Sequence, residues 1–178
     1  MNFFETLISF ETERPNDKFG RLLFNLAYLL AFIGGLILVI VILVNVISII
    51  SRIILSNPLV GDFELVKIGS AVAIASFFPI CHLKKGNVIV DFITANLNFK
   101  KLFFLDAISS FVYGLVSCFF TWRMIYGAQD MYKYSEETML LQFPVWIPFI
   151  PVIFSFGLLS FCCLYTFFKE YNNFSAKV

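Results

Sequence analysis

Residues 51–97, SRIILSNPLVGDFELVKIGSAVAIASFFPICHLKKGNVIVDFITANL, decide the fold. An apolar run of about membrane length has Arg52, Asp62, Glu64 and Lys67 at one end and Lys84 and Lys85 at the other. Gly69, Ser70, Ala71, Ala73, Ala75 and Ser76 fill its first two-thirds. Small residues at four-residue spacing let helix backbones approach closely where apolar packing has no water to escape from. The stretch therefore reads as a membrane-spanning helix, about 63–83, packed between others, with Gly69 and Ala73 on the packing face. Pro79 is expected to bend or end it. Nothing in it looks like a catalytic centre.

The composition agrees. The chain has 178 residues, of which 60% are apolar, 24 are Phe and only 14% are charged, which is outside the soluble globular range. A net charge of +1, with no basic run interleaved with aromatics, excludes nucleic acid as a partner. Cys81, Cys118, Cys162 and Cys163 lie in or beside apolar runs without C-x-x-C spacing, so they read as small hydrophobes rather than a disulfide-exchange pair. A bundle-bound haem with two axial imidazoles needs two histidines, and His82 is alone. It is expected at the membrane interface without a special role.

Outward from that stretch, three more spans follow. Leu22 to Ile50 is 29 residues broken only by Asn25, Gly34, Gly35, Asn45 and Ser48. As a helix it would reach about 43 Å, against a hydrocarbon core of about 30 Å, so it should tilt or project. A third span is expected over about 102–126, with Asp106 in its first turns and Trp122, Arg123 and Tyr126 as an interface belt. A polar loop, Gly127 to Gln142, leads to a fourth span over about 146–168, whose start is bracketed by Pro144, Pro148 and Pro151. Two short amphipathic patterns, about 2–12 and 87–98, are expected to lie in the interface. Pro15 should end the first of them, and Asn16 or Asp17 should cap the next helix. The N-terminal stretch lacks the purely positive start and the cleavage site of a signal peptide, so no processing is expected. The whole is one all-α domain of four transmembrane helices over residues 1–178.

Lys and Arg outside the spans number nine on the side of the two termini and two on the other. Giving Lys67 and Arg123 to the poorer side leaves nine against four. The positive-inside rule then places both termini in the cytoplasm. Arg52, Asp62, Glu64 and Lys67 gather at the opposite mouth. Glu64 and Lys67 are three apart and can pair on one helix, while Arg52 can reach Asp62 or Glu64 across the short turn. They read as a clamp between the first two helices, a partner contact, or an ion route. The last is disfavoured, because no span carries a carboxylate near its midpoint. A proton-driven exporter would need one.

The order of Arg52, Pro58-Leu59, Glu64-Leu65 and then Val88-Ile89-Val90-Asp91-Phe92 resembles the small membrane subunit of tripartite ATP-independent periplasmic (TRAP) transporters, the Q-type subunit. Thr138, Pro144, Trp146 and Pro151 are similar to that family's approach to its last span. The chain departs from the family pattern at Asn87, where a histidine is common, and at Phe63, where a second carboxylate often precedes the glutamate.

The resemblance implies a non-catalytic, cofactor-free subunit in a bacterial inner membrane. Such a subunit binds a large polytopic membrane subunit that carries substrate and sodium. A soluble periplasmic protein would deliver an acidic solute such as a dicarboxylate or a sialic acid. The small subunit would brace the fixed scaffold while the transport machinery moves, and Arg52, Glu64 and Lys67 would hold its shape or meet the periplasmic protein. A stand-alone four-helix exporter or membrane enzyme, and a membrane assembly factor, are the alternatives.

Overall fold

The computed structural model describes residues 17–56, 59–84, 86 and 99–176. The amphipathic patterns at 2–12 and 87–98 lie outside these residues. Four helices make up nearly everything described: α1 (Lys18–Leu55), α2 (Asp62–Leu83), α3 (Phe99–Lys133) and α4 (Phe149–Ala176). All four are long and apolar enough to cross a membrane. The protein is an all-α membrane protein.

Helix ends follow local chemistry. With 38 residues, α1 is about 57 Å long and outruns the hydrocarbon core. Asp17 stands at its N-cap, but its side chain makes no capping bond and instead lies 3.4 Å from the Tyr165 hydroxyl. The expected side-chain cap is therefore absent at Asp17, whose carbonyl accepts the Arg21 amide at 2.9 Å. Pro79 stands inside α2 without ending it, and four further residues remain helical. Pro151 is the third residue of α4, where an amide has no helical partner to lose. The hydropathy pattern ends the third span at Tyr126, yet α3 continues through GAQDMYK to Lys133. Those residues are polar enough to leave the membrane while keeping a good helical propensity in most positions.

The helices are ordered α1, α2, α4, α3 by contact: α1 packs on α2, α2 on α4 and α4 on α3, with a minor touch between α1 and α4. Accordingly α2 and α4 are the more buried, and α1 and α3 show most of their surface outward.

The α1–α2 seam has a strict register. Gly34 lies over Ser76, Val41 over Gly69 and Ser48 over Asp62, so seven residues up α1 match seven down α2. Along α1 the inward residues are Gly20, Leu23, Ala27, Leu30, Gly34, Val41 and Ser48, all buried, with half-buried Ile37 and Val44 completing an alternating three-four spacing. This is the heptad seam of a left-handed antiparallel pair. Small residues bring the backbones together: a methyl group on Gly34 would stand 2.7 Å from Ser76 Cβ and 3.1 Å from the Ala73 carbonyl oxygen.

The other seams use serine. Ser155 Oγ donates to the Ala75 carbonyl at 2.7 Å, tying α4 to α2 beside Val72 and Val152. Ser117 Oγ donates to the Phe156 carbonyl at 2.9 Å, tying α3 to α4. Hydroxyls that bridge helices satisfy a polar group that hydrocarbon cannot. His82 is buried at the far end of α2 against the Tyr113 ring at 5.4 Å.

Candidate functional site

Only some of the four ionisable residues of the α1–α2 mouth meet one another. Arg52, in the last turn of α1, stands 3.7 Å from the Asp62 carboxylate at the first residue of α2. That contact is longer than a hydrogen bond, and Arg52 is largely exposed. The stronger ties of Asp62 are to its neighbours: Ser48 Oγ donates to one carboxylate oxygen and the Phe63 amide to the other at 2.7 Å. A buried serine on α1 thus closes the heptad seam on a carboxylate of α2.

Glu64 and Lys67 do not meet. Lys67 Nζ lies over the Phe63 ring, 5.5 Å from its centre, in a cation–π contact. Glu64 turns the other way, to a partner 76 residues on. Its two carboxylate oxygens accept the amides of Leu140 and Leu141, each at 3.0 Å. Charge-assisted bonds of this kind are stronger than those between neutral groups.

Those amides belong to a hairpin between α3 and α4. Glu137 and Pro144 form an isolated antiparallel bridge, and Thr138 faces Phe143: its amide donates to the Phe143 carbonyl at 3.0 Å, while its hydroxyl accepts the Phe143 amide at 3.1 Å. Further out the Gln142 amide reaches the Thr138 carbonyl at 3.1 Å, and at the base the Val145 amide reaches the Glu136 carbonyl at 3.0 Å. Tyr132, at the end of α3, packs edge-on to Trp146 at 5.5 Å. The hairpin touches α2 through a second contact. Gly61, the N-cap of α2, has φ +81°, and any Cβ there would fall inside the Leu141 side chain. Glycine is required at that turn both by its backbone and by the leucine resting on it.

Gly69 and Ala73, expected on a packing face, both lie on the α1 seam: Gly69 under Val41 and Ala73 fully buried with its carbonyl against Gly34. Sequence reasoning missed the Thr138–Phe143 hairpin as a partner of Glu64, since no local spacing signals a contact across two spans. It also missed the heptad of α1. That signal was available in Ala27, Gly34, Val41 and Ser48 at seven-residue intervals.

A pair of grooves opens outward from the membrane-spanning helices. One, of about 320 Å³, is lined by Ala71, Ile74, Phe78, Met124, Val152 and Phe156 among others. The second, of about 510 Å³, lies between α1 and α4 and includes Leu23, Leu26, Phe154, Leu158 and Phe161. Both walls are apolar apart from Thr121, whose hydroxyl is bonded to the Ser117 carbonyl at 2.8 Å. Such walls suit acyl chains or apolar helices, not an acidic solute. No group of three or more metal-ligating side chains occurs among the described residues.

Searches of curated proteins and of solved structures each return no match to this chain. One protein family does match, described as "Tripartite ATP-independent periplasmic transporters, DctQ component", over residues 38–173. The match runs from the middle of α1 to the last turns of α4 and so takes in the α1–α2 mouth, the hairpin, the two serine-tied seams and the Val41–Ser48 end of the α1–α2 seam. A chain matched over more than three-quarters of its length, and folded as four spanning helices, belongs to the DctQ-component family: it is a small membrane subunit of a TRAP transporter.

Proposed function

We propose that this subunit is a non-catalytic brace that binds the large membrane subunit through the outward faces of α1 and α3 and helps a soluble periplasmic binding protein to dock. The observation that carries this reading is the contrast between the membrane-spanning helices and the α1–α2 mouth. The spanning helices offer apolar grooves and serine seams, whereas the mouth sets Arg52, Asp62, Glu64 and Lys67 beside the positive-φ Gly61 and a hairpin that Glu64 holds by two amides. Solute and sodium belong, in this reading, to the large subunit. The transported solute is of the acidic class, a dicarboxylate or a sialic acid, as the family resemblance implies.

Both termini face the cytoplasm of a bacterial inner membrane, following the lysine and arginine bias of nine against two. The α1–α2 mouth and the hairpin are then periplasmic. The heptad seam supports a bracing role, because a pair of helices locked along seven-residue steps resists the shear that a moving neighbour would impose.

The test is charge reversal at the mouth. Arg52→Glu, Glu64→Lys and Lys67→Glu are introduced singly, and solute uptake and co-purification of the large subunit are measured. Loss of uptake or of assembly in at least one variant supports the proposal. Wild-type behaviour of all three removes the mouth from it.

A further inference from the structure

Met139 is the most exposed large apolar residue among those described, at 96%, and Leu140 beside it is 60% exposed. Neither is exposed because its backbone is loose. The Thr138–Phe143 rungs close the hairpin on both sides of them, and Glu64 holds the Leu140 amide from below. A tip fixed in this way loses little conformational entropy when it is covered. With Leu141 and Phe143, each more than a third exposed, Met139 and Leu140 form an apolar stretch of the hairpin, and contiguous apolar surface of this kind marks contact sites.

Two coverings are available, a lipid surface and a protein. Charge separates them. Asp130, Glu136 and Glu137 are exposed around the base of the hairpin, against Lys133 alone in residues 127–142. An acidic rim is repelled by the anionic headgroups of a bacterial membrane. Moreover α3 runs seven residues, about 10 Å, beyond the edge-to-face pair of Trp122 and Tyr126 before the hairpin starts. The complementary surface is therefore a protein outside the membrane, with an apolar depression and a Lys- or Arg-bearing rim.

We infer that the hairpin over residues 136–144 is a docking knob for the soluble solute-binding protein of the transporter, with Met139 and Leu140 entering an apolar depression on that protein and Glu136 and Glu137 facing basic groups on its rim. This rests on the proposed function and assigns it a contact surface. The Glu64 clamp is the positioning element: it sets the angle of the knob and leaves the contact itself to the tip.

The test uses the assembled membrane complex in proteoliposomes, with the purified solute-binding protein titrated in from the side of the hairpin. Met139→Glu with Leu140→Glu should raise the concentration of binding protein that gives half-maximal uptake by about tenfold. Glu136→Lys with Glu137→Lys should do the same and should flatten the salt dependence. The large subunit should co-purify with both variants as with the wild type. A photoreactive p-benzoylphenylalanine at position 139, in whole cells, should form an adduct that mass spectrometry identifies as the solute-binding protein.

Unchanged half-maximal concentrations, or adducts only to lipid or to the large subunit, would overturn the assignment, as would loss of the large subunit from the tip variants. The underlying reading fails separately: in that case uptake by the wild-type complex would need no soluble protein at all.

Discussion

Gly34 on α1 lies directly over Ser76 on α2, close enough that a methyl group on the glycine would come within 2.7 Å of the serine Cβ. A methyl group on Gly35, its neighbour in sequence, would meet nothing within 4 Å beyond its own helix. One position is a backbone contact and the other is an open surface. The pair therefore separates packing from propensity.

Gly34→Ala should destabilise the subunit by about 1–3 kcal/mol, because the obstructing atom is a Cβ that cannot swing aside. Gly35→Ala should be neutral or stabilising by up to about 1 kcal/mol, since alanine is the better helix former. Denaturant titration of the purified protein in detergent micelles, followed by loss of helicity, reads both.

The Glu64 clamp predicts a local effect far away in sequence. Glu64→Ala leaves the amides of Leu140 and Leu141 without their acceptors, so their hydrogen exchange should accelerate by about an order of magnitude, while exchange in the α1–α2 seam stays unchanged. Glu64→Gln retains one acceptor oxygen and should fall between. Gly61→Ala should loosen the same two amides through a different cause, since it strains the turn and displaces Leu141. Combining Gly61→Ala with Glu64→Ala should add little to either alone, as both release one hairpin.

The serine tie between α3 and α4 gives a third test. Ser117→Ala removes the donor to the Phe156 carbonyl and should cost about 0.6–1.7 kcal/mol in a membrane-like environment. Ser160→Ala should cost less. Its hydroxyl lies 3.0 Å from the carbonyl of Phe156, one turn back on its own helix, and 3.2 Å from Ser117 Oγ, so it adds little between helices. Thermal unfolding of the two variants in one detergent checks the ranking.

Much of this architecture was legible in the sequence, for reasons that particular residues make plain. Apolar runs of membrane length declare spanning helices by themselves. Arg52 and Asp62 are joined by a turn too short to keep them apart, so their proximity was readable. Gly69 and Ala73 announced a close-packed face. What hydropathy cannot see is a helix that continues after it stops being apolar, which is why α3 passes Tyr126 and reaches Lys133. It also cannot see a period inside a run that is apolar on every side, which hid the seam of α1.

Glu64 shows a different limit. Lys67 was the nearest opposite charge in sequence, but two backbone amides presented by a constrained hairpin satisfy both oxygens of a carboxylate better than one flexible ammonium. Lys67 settles on Phe63 instead.

Above all, this chain is one component of a larger transporter. Affinity purification of the tagged subunit from its native membrane in mild detergent, with mass spectrometry of whatever comes with it, tests this most directly. The expected result is a large polytopic membrane protein in a fixed one-to-one ratio. Recovery of this chain alone, as a stable homodimer, would contradict it.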